Sequence, residues 1–102
     1  CRETFAPSID DFHPYGPITQ WVIQHGQSVV IPDITQDARI GSNNEEYRKA
    51  QIKSSLVVPV QTKDKLHAIL YLNQCSRIRS WSKSDRELAQ AVANQLAISI
   101  QQ

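Results

Sequence analysis

The chain has 102 residues, 40% hydrophobic and 21% charged, with a net charge of +1, which suits one soluble globular domain built on a single core. Lysines and arginines are scattered among aspartates and glutamates, so no basic stripe points to nucleic acid and no charge run to a disordered tail. The longest apolar run is far short of the roughly 20 residues that span a membrane, and no signal-peptide pattern opens the chain, so the expected location is the cytoplasm.

Two cysteines, Cys1 and Cys75, make neither a disulfide framework nor a metal quartet. The chain opens on Cys1 without a methionine and closes on Gln101-Gln102 without a helix stop signal. That reads as a piece of a longer protein, one partial domain over residues 1–102.

Residues 1–16 offer a short strand end at Arg2 to Phe5, then a loop marked by Pro7, Ser8, Asp10, Asp11, Pro14 and Gly16. Phe12, His13 and Tyr15 in that loop either pin it to the core or line a pocket. Pro17 to His25 is expected to be helical. Proline suits the first position, Ile18, Trp21, Val22 and His25 share one face, and Gly26 ends the helix. His25 reads as a polar edge of that face, since no second His or Cys stands at metal spacing.

Ser28 to Ile31 reads as a brief strand stopped by Pro32-Asp33. Asp33 is either a turn-forming carboxylate or a pocket carboxylate facing a cationic ligand group. Ser42 to Gln51 is expected to be a second helix, with Ser42 and Glu45 at capping-box spacing. Its apolar face is thin, Tyr47, Ala50 and Ile52, so it should be a weakly anchored, mobile wall.

Leu56 to Val60 and Leu66 to Asn73, separated by a polar turn at Thr62 to Lys65, read as a β-hairpin. The second run is apolar at both parities: Leu66, Ala68, Leu70 and Leu72 on one face, Ile69 and Tyr71 on the other. A strand with one wet face alternates, so this one should be covered on both sides. After a basic loop with Arg77, Arg79 and an anchoring Trp81, a long helix follows, with Ser84 to Glu87 at capping-box spacing. Leu88, Ala89, Val92, Ala93, Leu96 and Ile100 form a broad stripe expected to lie on the sheet. A narrower ridge, Ala91, Asn94 and Ile98, has heptad spacing and suggests a seam with a second helix, hence a homodimer.

No G-x-S-x-G, no phosphate-binding glycine loop and no H-E-x-x-H occurs. The expectation is non-covalent binding rather than catalysis within these residues.

The order Ser55-Leu56-Val57-Val58-Pro59-Val60, Leu66 to Leu70, Asn73-Gln74-Cys75-Ser76, Arg79, Trp81 and Ala93 to Gln102 resembles the C-terminal half of GAF domains. It is most similar to those of cyanobacterial signalling proteins, including bilin-binding cyanobacteriochromes; Val29 to Asp33 looks like the strand and aspartate midway through such a domain. The resemblance implies an α+β fold, an antiparallel sheet with a pocket on one face and the terminal helices, which often mediate dimers, on the other. It also implies that an opening helix and one or two strands are missing, leaving an edge bare.

Two departures matter. Bilin-binding relatives carry an attachment cysteine where this chain has Ser42-Asn43-Asn44, and a histidine where it has Asn73, which argues against covalent bilin. The asparagine, lysine and phenylalanine pattern of cyclic-nucleotide-binding relatives is absent too, and Cys75 reads as packing. The resulting expectation is a sensory or regulatory module of a multidomain protein such as a sensor histidine kinase. Its ligand is unknown, and its candidate ligand contacts are Tyr15, Asp33, Tyr47, His67, Tyr71 and Asn73. His67, Tyr71 and Asn73 share strand parity and should face one side. Movement of walls 10–16 and 42–52 would pass through the sheet to the last helix and the downstream domains. The alternatives are a ligand-free pairing module and, last, a small redox enzyme using Cys75.

Overall fold

The computed structural model describes residues 16–42 and 44–101. In chain order these form α1 (Pro17–His25), β1 (Val29–Ile31), a single 3-10 turn (Ile34–Gln36), α2 (Glu45–Lys49), β2 (Ser54–Gln61), β3 (Leu66–Gln74) and α3 (Lys83–Gln101). The strands make one antiparallel sheet in the order β1-β2-β3. Helices cover both faces, the α+β arrangement expected.

β2 is the centre because it is buried on both sides from Ser54 to Val60. Alternation along the strand sends Val57 toward α1 and the 3-10 turn, where it packs with Val29, Ile31, Ile69, Ile18, Val22, Ile34 and Ile40. The intervening Leu56, Val58 and Val60 pack on the other face with Ala68, Leu70, Trp81, Ala89, Ala93 and Ala97. α1 starts on Pro17 and stops at Gly26, whose φ of 64° lets its N–H reach the Val22 carbonyl. No helix among the described residues is long and apolar enough to cross a membrane.

Several expectations need correction. The hairpin runs as expected through a turn closed by Thr62 N–H to the Lys65 carbonyl, but Val60 pairs with Ala68 and Gln61 with Leu66. His67 is therefore an extra, bulged residue. One inserted residue reverses side-chain parity beyond it, so Leu66 packs with the α1-side core instead of sharing a face with Ala68.

The stripe on α3 is also narrower than expected. Only Ala89, Ala93 and Ala97 are buried against the sheet, whereas Leu88, Val92, Leu96 and Ile100 are 68, 37, 38 and 46% exposed. Three alanines at successive turns let the helix approach the strands closely, and this pushes the bulkier neighbours to its margins.

Nor is the cap of α3 at Ser84 and Glu87. Ser82 Oγ accepts from Asp85 N–H at 3.0 Å and Asp85 Oδ2 accepts from Ser82 N–H at 2.9 Å, a reciprocal box two residues earlier. Its position follows from Trp81, buried and fixed immediately upstream.

α2 is only five residues long, its N-terminal residue Asn44 makes no side-chain cap bond, and none of its residues is buried. It ends in a Schellman turn, with Gln51 N–H on the Arg48 carbonyl and Ile52 N–H on the Tyr47 carbonyl. The left-handed position in that turn, usually glycine, is Gln51 at φ 61°.

Candidate functional site

Three stretches that are far apart in sequence meet where the strands end. They are Asp33 to Thr35, Asn44 to Lys53 and Cys75 to Ile78, and they surround a cleft of about 670 Å³. Backbone bonds hold the walls together: Ile34 N–H donates to the Lys53 carbonyl at 3.0 Å and Lys53 N–H to the Gln74 carbonyl at 2.9 Å. Asp33 caps the 3-10 turn; its Oδ1 accepts from Thr35 N–H at 3.0 Å and from Thr35 Oγ1 at 2.7 Å. Ile34 and Ile52 give the cleft an apolar side, and Ile78, 57% exposed, faces solvent from the loop. Arg48 and Lys53 line it as well, and among the described residues neither forms an ion pair.

Cleft and α3 share a junction. Trp81 Nε1 donates to Ser54 Oγ at 2.7 Å, and Ser54 Oγ lies 2.9 Å from the Ile31 carbonyl and 3.2 Å from that of Arg79. Arg79 N–H donates to the Pro32 carbonyl. The Arg79 guanidinium stacks over Trp81 at 4.4 Å and donates to Gln74 Oε1 and to Asp85 Oδ1, each at 3.1 Å. Backbone donation from Ser82, with the Arg79 charge adding, holds the Asp85 carboxyl below the usual carboxylate range.

The α1 face carries a second polar group. Tyr71 Oη and Thr19 Oγ1 are 2.6 Å apart, and Ser55 Oγ donates to Asn73 Oδ1 at 2.8 Å. Tyr47 packs on the same core as Tyr71. Burial, with Tyr71 and Asp37 adding, pushes its phenol up to about 12. Asp37 is held low, chiefly by the forked Arg39 bonds to its two oxygens at 3.1 and 2.7 Å. Arg39 in turn sits over Trp21, on which His25 stacks at 4.1 Å.

Of the candidate contacts, Tyr47 and Tyr71 are brought together on the α1-side core and Asn73 lies next along the strand. Asp33 lines the cleft instead. His67 is at the hairpin end, 3.1 Å from Thr62 Oγ1, and six residues of strand put it about 20 Å from Asn73; it does not join the others. Tyr15 lies outside the described residues. Ala91, Asn94 and Ile98 are on the exposed side of α3, with Gln90 Nε2 donating to Asn94 Oδ1. Cys75 is disulfide-bonded, which corrects its reading as a packing thiol. The chain's other cysteine, Cys1, lies outside the described residues.

Sequence reasoning passed over Arg48, Lys53 and Ile78. Only Ile78 left a signal: an isolated isoleucine between Arg77 and Arg79 in an otherwise polar loop. Among the described residues no group of His, Cys, Asp and Glu could hold a metal ion.

The architecture, a short antiparallel sheet with a cleft beside one face and a long terminal helix on the other, defines a class. The GAF domain family model matches residues 3–100, and the chain belongs to that family. It is 29% identical over 110 residues to the circadian input-output histidine kinase CikA of Thermosynechococcus vestitus, a match that takes in all of this chain and 15% of the kinase.

Among solved structures, a far-red cyanobacteriochrome photoreceptor is 30% identical with a TM-score of 0.64, over 78% of this chain and 52% of that one. A red/green cyanobacteriochrome in its red light-absorbing state is 27% identical with a TM-score of 0.71, over 91% and 59%. The TePixJ GAF domain, 21% identical with a TM-score of 0.73 over 80% and 51%, shares the fold. The chain thus spans about half the length of these photoreceptor structures.

Proposed function

We propose that this chain is a sensory or regulatory GAF module of a multidomain signalling protein such as a sensor histidine kinase. It binds a small molecule non-covalently in the cleft and hands the bound state to domains beyond α3, where any catalysis resides. The supporting observation is one short segment, residues 75–81, which lines the cleft with Ile78 and, one residue on, ties Arg79 to the capping carboxylate of α3. A ligand that contacts Ile78 and Lys53 better in one arrangement of this segment than in another biases the orientation of α3. The shift is limited by that difference in affinity. Bilin-type thioether attachment does not fit, because no cysteine stands between Cys1 and Cys75.

Native mass spectrometry of the purified chain tests this. The expected result is an additional mass that leaves on denaturation. A mass that survives denaturation contradicts the non-covalent reading.

A second reading, a module that pairs two copies through α3, is favoured by one observation. Leu88, Val92, Leu96, Ile98 and Ile100 are exposed along one helix, and such faces commonly mark contact surfaces. Ala91, Asn94 and Ile98 lie on a separate exposed line of the helix, about 130° around the axis from Leu88, Val92 and Leu96. The same spectrum gives the mass of the assembly, and a monomer at high concentration removes the pairing reading.

A further inference from the structure

We infer that the cleft selects a small organic anion: an apolar body lies on Ile34, Ile52 and Ile78, and a carboxylate, phosphate or sulfonate group is met by Arg48 and Lys53. The inference rests on the cleft of the proposed function and names the class of ligand.

Three observations converge. The cleft's volume of about 670 Å³ falls in the range of sites that enclose small molecules, which are mostly apolar with a few placed polar groups. Ile78 supplies the apolar side. The other large hydrophobic side chains exposed among the described residues all belong to α3, so Ile78 is the one whose exposure a ligand in the cleft would relieve.

The third observation is charge. Lys49 is matched with Glu45, Arg39 with Asp37, Arg79 with Asp85 and Lys83 with Glu87, while Arg77, beside Ile78 but outside the cleft lining, forms no ion pair among the described residues. Arg48 and Lys53 are not matched either, and both line the cleft. Among the described residues the one carboxylate in its lining, Asp33, already has an oxygen held by Thr35 N–H and Oγ1, which leaves that part of the wall cationic by one charge. A guanidinium meets planar oxyanions with two parallel bonds, and lysine adds a mobile point charge. Gln51, held at positive φ between α2 and Lys53, fixes the turn that carries both cations.

The test compares two probes with the same aromatic body. 8-Anilinonaphthalene-1-sulfonate carries an anionic group and N-phenyl-1-naphthylamine does not. Both are titrated into the full chain, with amide NMR shifts to locate them. The sulfonate is expected to shift Ile52, Lys53 and Ile78 and to bind about tenfold tighter than the neutral compound, equivalent to about 1.4 kcal/mol. Added salt should weaken it.

An Arg48→Gln/Lys53→Gln double variant should remove that preference and leave the neutral compound's affinity unchanged, and Arg48→Lys/Lys53→Arg should restore most of it. Both positions are exposed, so the fold tolerates the changes. Equal affinities for the two compounds, an unchanged preference in the double variant, or sulfonate shifts confined to the apolar margin of α3 would overturn the inference.

The relay can fail separately. Charge-selective binding in the cleft with unmoved α3 amides keeps the ligand class and refutes the relay. Charge-blind binding that moves α3 does the reverse.

Discussion

On one face of the sheet a single helix of 19 residues lies on Leu56, Val58, Val60 and Leu70 through three alanines, and Trp81 fixes its start. On the other face the cover, among the described residues, is made of pieces: a helix of nine residues, one 3-10 turn, and a helix of five with no buried residue. Polar pairs, Thr19 with Tyr71 and Ser55 with Asn73, sit among its aliphatic contacts. Small residues in close approach make α3 a stiff lever, because a densely packed interface moves as a unit. Short elements with few buried apolar contacts open locally at lower free energy, and ligand-binding walls are drawn from such elements. In the proposed function this contrast would give the receiving role to the α2 side and the transmitting role to α3.

The strongest way to break this contrast is Trp81→Ala. It empties a large buried volume under the start of α3 and leaves Ser54 Oγ without its indole donor, so a loss of about 3–5 kcal/mol is expected in urea unfolding. A loss below about 1 kcal/mol would mean that α3 is not anchored there.

Ser54→Ala should cost about 1–3 kcal/mol, because it orphans the buried Trp81 indole N–H. Ser55→Ala, on the α1 face, removes a single bond to Asn73 and should cost less. Equal costs would erase the asymmetry between the faces.

Gln51→Gly should stabilise by about 1–2 kcal/mol, since glycine relieves the left-handed backbone that closes α2. An accompanying loss of ligand affinity would show that a rigid turn matters to the cleft.

The smallest effect appears only in alkali. Tyr47 titrates at about 12 in the fold against about 10 when unfolded. The fold therefore favours its neutral phenol. That stabilisation is complete below about pH 10 and is lost as pH rises toward about 12. Tyr47→Phe should flatten this part of a stability-against-pH curve and change little at neutral pH.

Features set by neighbours in sequence were legible. The hairpin, α1 between Pro17 and Gly26, and the two-sided burial of the strands all follow from short-range pattern and turn chemistry. Others depend on tertiary context. On α3 the lines Leu88–Val92–Leu96 and Ala89–Ala93–Ala97 lie one residue apart, about 100° around the axis. Periodicity merged them, and the sheet separated them by size.

The bulge at His67 hides in an unbroken strand pattern, yet it reverses Leu66. Gln51 carries no sign that it takes a position where glycine is usual. The cleft was the least legible part: Asp33 stood out in the sequence, but Arg48, Lys53 and Ile78 come from segments that only backbone pairing joins to it. A search for functional side chains favours Tyr and His on strands and passes over such a set. The GAF family pattern was carried by the second half of the chain, where the strand and helix motifs recur in order.

The central claim is that the cleft and α3 are coupled through residues 75–81. The most direct measurement is amide hydrogen exchange along α3 in the chain with and without saturating 8-anilinonaphthalene-1-sulfonate, repeated in Arg79→Ala. The account predicts that binding changes protection in the first turns of α3, from Lys83 to Ala93, and that Arg79→Ala abolishes this change while the cleft still binds. Changes confined to the cleft walls in the unmodified chain, with α3 exchanging identically in both states, would contradict it.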